Sequence, residues 1–326
     1  MFSGIERGAG ACESFITNST VSGNACVIGR GGGGYDSEFY GCSVFDNYSP
    51  TGAGMEKGYA QKCCFRNNAT SGGATIFRST RGFVDCDIQG AVFDWPGYLV
   101  NCRVHGYDMD GYATITEGAN VYTSGVFKVK TISGTSPTML YAVNNAGDTG
   151  MAATNTIFYN NRTTCLFWPA SLHASFVNCQ FVSNFWAKTC IGAGMDSGNS
   201  AEFVNSIFAG NCNTTRTAFV EWSPDSKGDT NIVMRYCLFG SGSRSNLPRL
   251  MENCRFDTEV KFKSDGENLY MPIRSQLVTR AGLVQDWMES ATDIRGEGFP
   301  RLSDGRVDIG AYQYHRKVTG LEIFVK

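Results

Sequence analysis

One phrase of about nine residues returns along this chain, and it constrains the fold more than any other feature. It reads FYGCSVFDN at 39–47, FVNCQFVSN at 176–184 and FVNSIFAGN at 203–211, with a shorter form, MENCRF, at 251–256. If its Cys is position zero, the chain contains eleven rungs with a small central residue, spaced 16 to 32 residues apart and clustered near 23. These central residues are Ser19, Cys42, Cys63, Cys86, Cys102, Ser124, Thr156, Cys179, Ser206, Cys237 and Cys254. A period in this range indicates a solenoid.

The alternation within each rung predicts strands rather than helices. Positions zero and +2 alternate with mixed residues, as in a half-buried strand, and position −3 is also apolar. Because −3 and zero are an odd number of residues apart, the chain must bend between them to turn both inward. Position −1 is often Asn, which tolerates the left-handed conformation of a sharp bend, and a second Asn column at +5 predicts stacked amide ladders. The chain is therefore predicted to be an all-β, parallel β-helix solenoid of about eleven coils.

This repeat, apolar-x-Asn-Cys/Ser-x-apolar-x-x-Asn with glycine-rich turns, resembles the right-handed parallel β-helix proteins of the pectin-lyase-like superfamily. The resemblance covers residues 10–256. It implies a right-handed β-helix domain over 1–256, followed by a C-terminal cap over 257–326. The fold hosts lyases, hydrolases, phage tailspikes and adhesins, so the resemblance does not select one function.

The C-terminal stretch DIRGEGFPRLSDGRVDIGAYQY at 293–314 resembles the closing signature of bacterial surface β-helix proteins, the choice-of-anchor Q module. The matching residues are Asp293, Gly296, Arg301, Asp308, Gly310, Ala311 and Tyr312. Gln313 stands where that signature usually has Glu. The resemblance implies an extracellular or envelope-associated bacterial protein. Residues 1–16 lack the features of a signal peptide, so we interpret the chain as a mature form or a trimmed fragment.

Composition and charge exclude two classes of partner. The 326-residue chain has a formal net charge of −2 and no long basic run, which argues against a nucleic-acid partner. It has no run of 18 apolar residues, so no transmembrane segment is predicted. No capping element precedes Ser19, so we expect either upstream sequence or the pairing of residues 1–12 with another coil or another chain, as in an oligomer.

Two further features favour architecture over chemistry. The stretch GRGGGG at 29–34 satisfies G-x-G-x-x-G but precedes a strand rather than a helix, so a glycine turn is favoured over a phosphate cradle. The Cys column favours buried thiols over a metal array, because C-x-x-C is absent and the three His residues lack ligand spacing. No metal site or cofactor is predicted, with calcium retained as an alternative if the chain is a lyase.

Two clusters are candidates for chemistry on a carbohydrate. The stretch HGYDMDGYATITEG at 105–118 breaks the Asn ladder and supplies the catalytic candidates His105, Asp108, Asp110 and Glu117. Carboxylates that project from neighbouring coils into one groove are what glycosidic cleavage requires. The alternative is that they are solvated turn residues.

The second cluster lies in the long connection between the Ser206 and Cys237 rungs. It supplies the substrate-binding candidates Arg216, Glu221 and Trp222, and Trp186 is a further candidate. An aromatic face complements the apolar face of a pyranose, and long loops on a rigid stack often carry binding. The alternative for the Trp residues is packing beneath loops.

The leading hypothesis is an extracellular or cell-surface protein that binds complex polysaccharide along its side, with or without cleaving it. The alternative is a structural or adhesive stalk, and a calcium-dependent polysaccharide lyase stands third. The residue sets of polygalacturonase-like hydrolases and pectate-lyase-like enzymes are not recognisable in the chain. If cleavage occurs, a lyase or glycoside hydrolase reaction is expected.

Overall fold

In the described part of the chain, the repeat folds as a stack of ten coils in a parallel β-helix. The computed structural model describes residues 7–70, 77–78, 80–90, 93–94, 97–105, 138–143, 151–170, 173–191, 200–211, 232–240, 250–256, 260–265, 268–275 and 278–315. Each coil contributes one strand to sheet 1 and, after a one-turn bend, one strand to sheet 2. A third, six-stranded sheet closes the cross-section along coils 2–7. The all-β solenoid fold is thereby confirmed.

The strands are short, as a coil of about 23 residues requires. Sheet 1, whose order defines coils 1 to 10, contains Phe15–Thr17, Glu38–Tyr40, Tyr59–Gln61, Gly82–Val84, Tyr98–Val100, Met151–Thr154, His173–Val177, Ser200–Val204, Ile232–Arg235 and Leu250–Glu252. Sheet 2 contains Thr20–Ser22, Ser43–Phe45, Cys64–Arg66, Asp87–Gln89, Arg103–His105, Ile157–Tyr159, Gln180–Val182, Ile207–Ala209, Leu238–Phe239 and Arg255–Phe256. Sheet 3 contains Met55–Glu56, Phe77–Arg78, Phe93–Asp94, Thr138–Val143, Arg162–Ala170 and Phe185–Ile191.

The stack has one coil fewer than the eleven rungs read from the sequence. Leu99 pairs directly with Ala153 in sheet 1, and Val104 pairs directly with Phe158 in sheet 2. No rung therefore stands between coils 5 and 6. Ser124 lies outside the described residues, and the chain from 106 to 137 is an insertion between the sheet 2 and sheet 3 strands of coil 5.

The bend between sheets 1 and 2 has the conformation predicted from the Asn column. Asn18, Asn101, Asn155, Asn178, Asn205 and Asn253 all have φ between 47° and 53°. Other residues fill the same position in the remaining coils, including Gly41 at φ 63° and Lys62 at φ 53°. Asn is preferred because its short polar side chain lowers the cost of left-handed backbone.

The second Asn column forms the predicted amide ladder. Asn184 Nδ2 donates to Asn211 Oδ1 at 3.1 Å in the next coil and to the Phe158 carbonyl at 2.9 Å in the preceding coil. Asn47 makes the equivalent bonds to Asn68 and to the Val21 carbonyl. Each buried amide thus satisfies main-chain groups as well as its neighbour, which is what a sharp corner inside the stack requires.

The Cys column is a hydrogen-bonded structural column. Cys179 Sγ donates to the carbonyls of Ala153 and Val177 at 3.3 and 3.5 Å. In the next coil, Ser206 Oγ donates to the corresponding carbonyls of Phe176 and Val204. Burial raises the pKa of the Cys179 thiol to about 12. Thiol and hydroxyl groups are therefore interchangeable here, and no disulfide joins the ten cysteines whose side chains the structure describes.

The segment 260–315, which follows the last coil, packs laterally on coils 6–9. It contains the hairpin Phe262–Asp265 and Asn268–Pro272 and one 3₁₀ turn, Asp286–Glu289. Met288 of this turn is buried against Val177 and Val204, and Ile309 packs on Ile207. These outward positions of coils 6–9 are apolar because the C-terminal segment covers them.

The signature residues near the C-terminus form a buried clasp, consisting of Asp293, Arg301, Asp308 and Gln313. Arg301 Nη2 donates to the carbonyls of Asp308 and Gly310, both at 2.7 Å. Gln313 N–H donates to Asp293 Oδ2 at 2.8 Å, and Gln313 Oε1 accepts from Asp308 N–H at 2.8 Å. Gly310, at φ 97°, donates its N–H to the Asn205 carbonyl at 2.7 Å. The clasp folds the segment upon itself, and Gly310 joins it to the coils.

Candidate functional site

Of the first predicted cluster, His105 is within the described residues and Asp108, Asp110 and Glu117 lie outside them. His105 ends the sheet 2 strand of coil 5, at the start of the insertion. Its Nε2 is 2.7 Å from Asp87 Oδ1, and its ring stacks on Tyr159 at 4.7 Å between centroids. The carboxylate and the aromatic ring together fix the imidazole, with 21% of its side chain exposed. In the described residues, the imidazole of His105 is therefore fixed in position beside one carboxylate, that of Asp87.

Arg216, Glu221 and Trp222 of the second predicted cluster also lie outside the described residues. Trp186 lies in the sheet 3 strand Phe185–Ile191. The substrate-binding role of these four residues remains a prediction. Within the described part of the chain, no group of three or more His, Cys, Asp or Glu side chains is arranged to hold a metal ion.

The most developed surface feature is an aromatic stripe on the outer face of sheet 1, formed by Phe15, Tyr40, Tyr59 and Tyr98. Ring centroids are 4.7 Å apart from Phe15 to Tyr40, 5.7 Å from Tyr40 to Tyr59 and 6.5 Å from Tyr59 to Tyr98. The stripe spans coils 1–5, and Phe15 and Tyr98 are 67% and 40% exposed. Phe15 and Tyr59 stand in one outward column, where both pair with Glu38, and the Tyr40 ring reaches them from the neighbouring outward column.

Gly82 allows the ring of Tyr98, the last ring of the stripe, to lie close to the main chain. Gly82 lies between Tyr59 and Tyr98 in the outward column of sheet 1. A Cβ atom at Gly82 would lie 2.5 to 2.7 Å from three carbon atoms of the Tyr98 ring. The Tyr98 ring therefore lies against the main chain of the neighbouring coil. Tyr98 remains 40% exposed, so part of its ring is accessible to a ligand.

Polar groups border the stripe. Tyr40 hydroxyl donates to Glu38 Oε2 at 2.9 Å, and Arg81 Nη1 lies 3.0 Å from Glu38 Oε1. The hydrogen bond to Glu38 raises the pKa of Tyr40, and burial raises the pKa of Tyr59 to about 12. Both phenols are thus uncharged near neutral pH and present hydroxyl groups for hydrogen bonding.

A shallow depression of about 310 Å³ adjoins Tyr40 at the bend between sheets 1 and 2. Its lining is Thr17, Asn18, Tyr40, Gly41, Gln61 and Lys62. The depression exists because Gly41 has no side chain, and a Cβ there would lie 2.5 Å from Asn18 Oδ1. It offers two amides, a hydroxyl and an ammonium group beside an aromatic ring. That set of donors and acceptors suits a neutral polyhydroxylated ligand.

The sequence reading missed the stripe because it aligned the inward columns of the repeat. Phe15, Tyr59 and Tyr98 all stand at position −4, and Tyr40 stands at −2. The aromatic residues of the stripe can be found in the same alignment if the outward positions of the first five rungs are compared. Both positions point outward because they differ by even numbers from one another and by odd numbers from the inward position −3.

A buried carboxylate lies in the glycine-rich coils near the N-terminus. Glu56 is 1% exposed, with Arg30 Nη1 3.4 Å from its Oε1. Burial raises its pKa, while Arg78 and Arg30 act in the opposite direction. The glycines of 29–34 pack here against the main chains of adjacent coils, as with Gly33 and the Gly54 carbonyl. The run brings main chains of adjacent coils close together, and Gly31 has left-handed backbone at φ 74°.

Glu56 is expected to make stability depend on pH. Its pKa is higher in the folded chain than its ordinary value of 4.5, so the folded chain binds this proton more tightly than the unfolded chain. The free energy of unfolding should therefore fall as pH rises from about that value through the folded-state pKa. Glu56→Gln should flatten this slope, measured by urea denaturation at a series of pH values. An unchanged slope would show that another group is responsible.

Comparisons with known proteins give no family assignment. No protein-family model matches the chain, and no curated protein matches it. Solved structures with some similarity include two trypsin-treated variants of QnrB1, a plasmid-mediated fluoroquinolone resistance protein. One has 13% identity over 76% of this chain and 92% of that chain, with a TM-score of 0.20. The other has 13% identity over 77% and 92%, with a TM-score of 0.23. In the described part of the chain, no helix has the length and apolarity needed to span a membrane.

Proposed function

We propose that this protein binds a polysaccharide along the outer face of sheet 1, with the aromatic stripe as the main contact. The supporting observation is the continuous run of four rings with neighbouring centroids 4.7 to 6.5 Å apart. The rings, on coils 1, 2, 3 and 5, form an array with a path of about 17 Å from the first centroid to the last, which suits an extended chain molecule. The polar border and the adjoining depression supply hydrogen-bonding groups for sugar hydroxyls.

The proposal places the protein outside the cell or in the cell envelope of a bacterium. It is supported by the resemblance of the repeat to pectin-lyase-like proteins and of residues 293–314 to the closing signature of surface β-helix proteins. The signature residues act within this chain as a clasp that folds the C-terminal segment onto itself and, through Gly310, joins it to the coils. Surface attachment is therefore proposed on the resemblance and not on the contacts of these residues.

A rigid stalk is the second candidate, and the continuity of the stack favours it. Ring stacks and amide ladders run through successive coils, as in the column from Phe158 through Phe181 to Phe208. A stalk without a ligand has no need for exposed aromatic rings in register. The stripe is the feature that separates the two candidates.

A glycan array followed by calorimetric titration of any ligand found tests the proposal. Tyr59→Ala and Tyr98→Ala should each weaken binding about tenfold, which corresponds to ~1.4 kcal/mol for the loss of one central aromatic contact. Tyr236→Ala, on the bend of coil 9, is the matched control and should bind as the wild type does. Equal affinity in all three variants would remove the stripe from the binding surface.

Cleavage is proposed as a further step that the same ligands can test. Reducing-end and unsaturated-product assays on each bound glycan distinguish hydrolysis from elimination. Asp110→Ala, in the predicted catalytic cluster, should abolish any product and leave binding at the stripe unchanged. Repeating the assay with a calcium chelator tests the lyase alternative. Binding without product would leave a carbohydrate-binding protein with no enzymatic role.

A further inference from the structure

The two ends of the stack expose apolar residues in matching columns. At the last coil, Leu250 is 48% exposed and Phe256 is 39% exposed. At the first coil, Phe15 is 67% exposed, and Ile16 is only partly buried against the core. Phe15 and Leu250 stand in the same outward column of sheet 1, as successive pairings of the strands show. The two ends therefore carry apolar surface at equivalent positions.

The main-chain hydrogen bonds of the terminal strands give the ends opposite and complementary faces. In coil 1, Asn18 N–H donates to the Tyr40 carbonyl of coil 2 at 2.8 Å. Because alternate residues of a strand direct their main-chain groups to opposite sides, Thr17 faces away from coil 2. In coil 10, the Glu252 carbonyl accepts from Tyr236 N–H at 2.9 Å, so Met251 faces away from coil 9.

At position zero, the hydrogen bond between coils runs in one direction along the stack, and both ends fit that direction. Its N–H donates to the position-zero side chain of the following coil, as from Cys179 to Ser206 Oγ at 3.3 Å and from Cys42 to Cys63 Sγ at 3.3 Å. Cys254 N–H of coil 10 has this orientation toward the end of the stack. Ser19 of coil 1 has the hydroxyl that such a donor needs.

We propose that copies of this chain stack head to tail, with coil 10 of one copy pairing in parallel with coil 1 of the next. In that register Met251 lies beside Ile16 and Leu250 beside Phe15, and both pairs are apolar. Sheets 1 and 2 then continue from copy to copy. The contact joins two different surfaces, so it is heterologous and generates open-ended assemblies rather than closed dimers. This inference goes beyond the proposed function and does not depend on it.

Proline substitutions at the ends test the stacking directly. Thr17→Pro removes an N–H that faces away from coil 2 and places a ring on the exposed edge, which blocks strand addition at that end. Met251→Pro does the same at the other end. Wild-type protein should show mass rising with concentration in light scattering, and each proline variant alone should remain monomeric.

The decisive measurement mixes the two variants. Thr17→Pro keeps its coil 10 free, and Met251→Pro keeps its coil 1 free, so the mixture should form a 1:1 dimer and nothing larger. The double variant Thr17→Pro/Met251→Pro is the control, and it should stay monomeric alone and in either mixture. Circular dichroism and the thermal midpoint confirm that each variant is folded. Wild-type protein that is monomeric at every concentration, or proline variants that assemble as the wild type does, would overturn the proposal.

A charge-swap pair keeps the test valid if a proline variant fails to fold. Phe15 and Leu250 are outward and exposed, so lysine at either position does not disturb the core. Phe15→Lys with Leu250→Lys in one chain should weaken assembly at least tenfold, because like charges then face each other directly across the contact. Phe15→Glu with Leu250→Lys should assemble more tightly than the double lysine variant. Equal assembly of the two would exclude this register.

Discussion

Phe181→Ala should lower the free energy of unfolding by about 3 to 5 kcal/mol, the usual cost of removing a buried phenyl ring. Phe181 is fully buried in the middle of the stack. Its ring stacks between those of Phe158 at 5.0 Å and Phe208 at 4.7 Å, and it meets Phe176 and Phe203 edge on. The neighbouring rings cannot move into the cavity left by the substitution, because strand pairing with the coils on both sides fixes their main chains. Guanidinium denaturation followed by circular dichroism measures the loss.

The last ring of the same column provides the control. Phe256 stacks on Phe239 at 5.1 Å but is 39% exposed, since coil 10 ends the stack. Phe256→Ala removes the same atoms from a site that water already reaches. Its cost should be less than half that of Phe181→Ala, because less apolar area returns to water. Equal costs would show that the ring column does not derive its stability from burial.

Arg301→Met should destabilise the C-terminal segment by about 1 to 3 kcal/mol, the cost of leaving buried carbonyl groups without their donor. Arg301 is fully buried, and burial lowers its pKa to about 10 while Asp293 and Asp308 act in the opposite direction. It therefore carries its charge at neutral pH. Without it, two buried carboxylates lose a nearby positive charge, and the carbonyls of Asp308 and Gly310 lose a donor. Limited proteolysis and hydrogen exchange within residues 260–315 should both become faster.

Two further variants make that result specific to the clasp. Arg306→Met makes the same change at an exposed position five residues away and should leave proteolysis unchanged. Replacing Asp308 by Asn in the Arg301→Met background removes a buried carboxylate that has lost a nearby positive charge and should recover part of the stability. If Arg301→Met is cleaved at the wild-type rate, the clasp does not hold the segment.

The sequence was sufficient for the repeat and for the corner chemistry of each coil. Asn178 and Asn205 adopt left-handed backbone, as predicted from an inward pair separated by an odd number of residues. The amides of Asn184 and Asn211 bond as predicted from their column. These features depend on the local geometry of the bend and on the stacking of one coil over the next. The period of the repeat is enough to predict both.

The candidate site was much less accessible to sequence reading. Clusters of acidic residues in long connections were taken as the carriers of chemistry, and of these residues His105 is the one whose side-chain contacts the structure describes. The aromatic stripe is dispersed over 84 residues of sequence, from Phe15 to Tyr98, and becomes continuous only when coils stack. Reading the sequence in order finds residues that lie close together along the chain. The residues of the stripe are close together only across neighbouring coils.

The sequence by itself determined that the chain coils, which residues face inward and where each coil bends, because identical periods must repeat identical geometry. Only the tertiary structure decided that coils 5 and 6 are direct neighbours, with no rung between them. It alone also decided that the C-terminal segment covers coils 6–9 while the stripe on coils 1–5 stays open. The physical reason is that strand pairing and lateral packing bring together surfaces that are far apart in the chain. No local sequence pattern specifies which of these surfaces will be in contact.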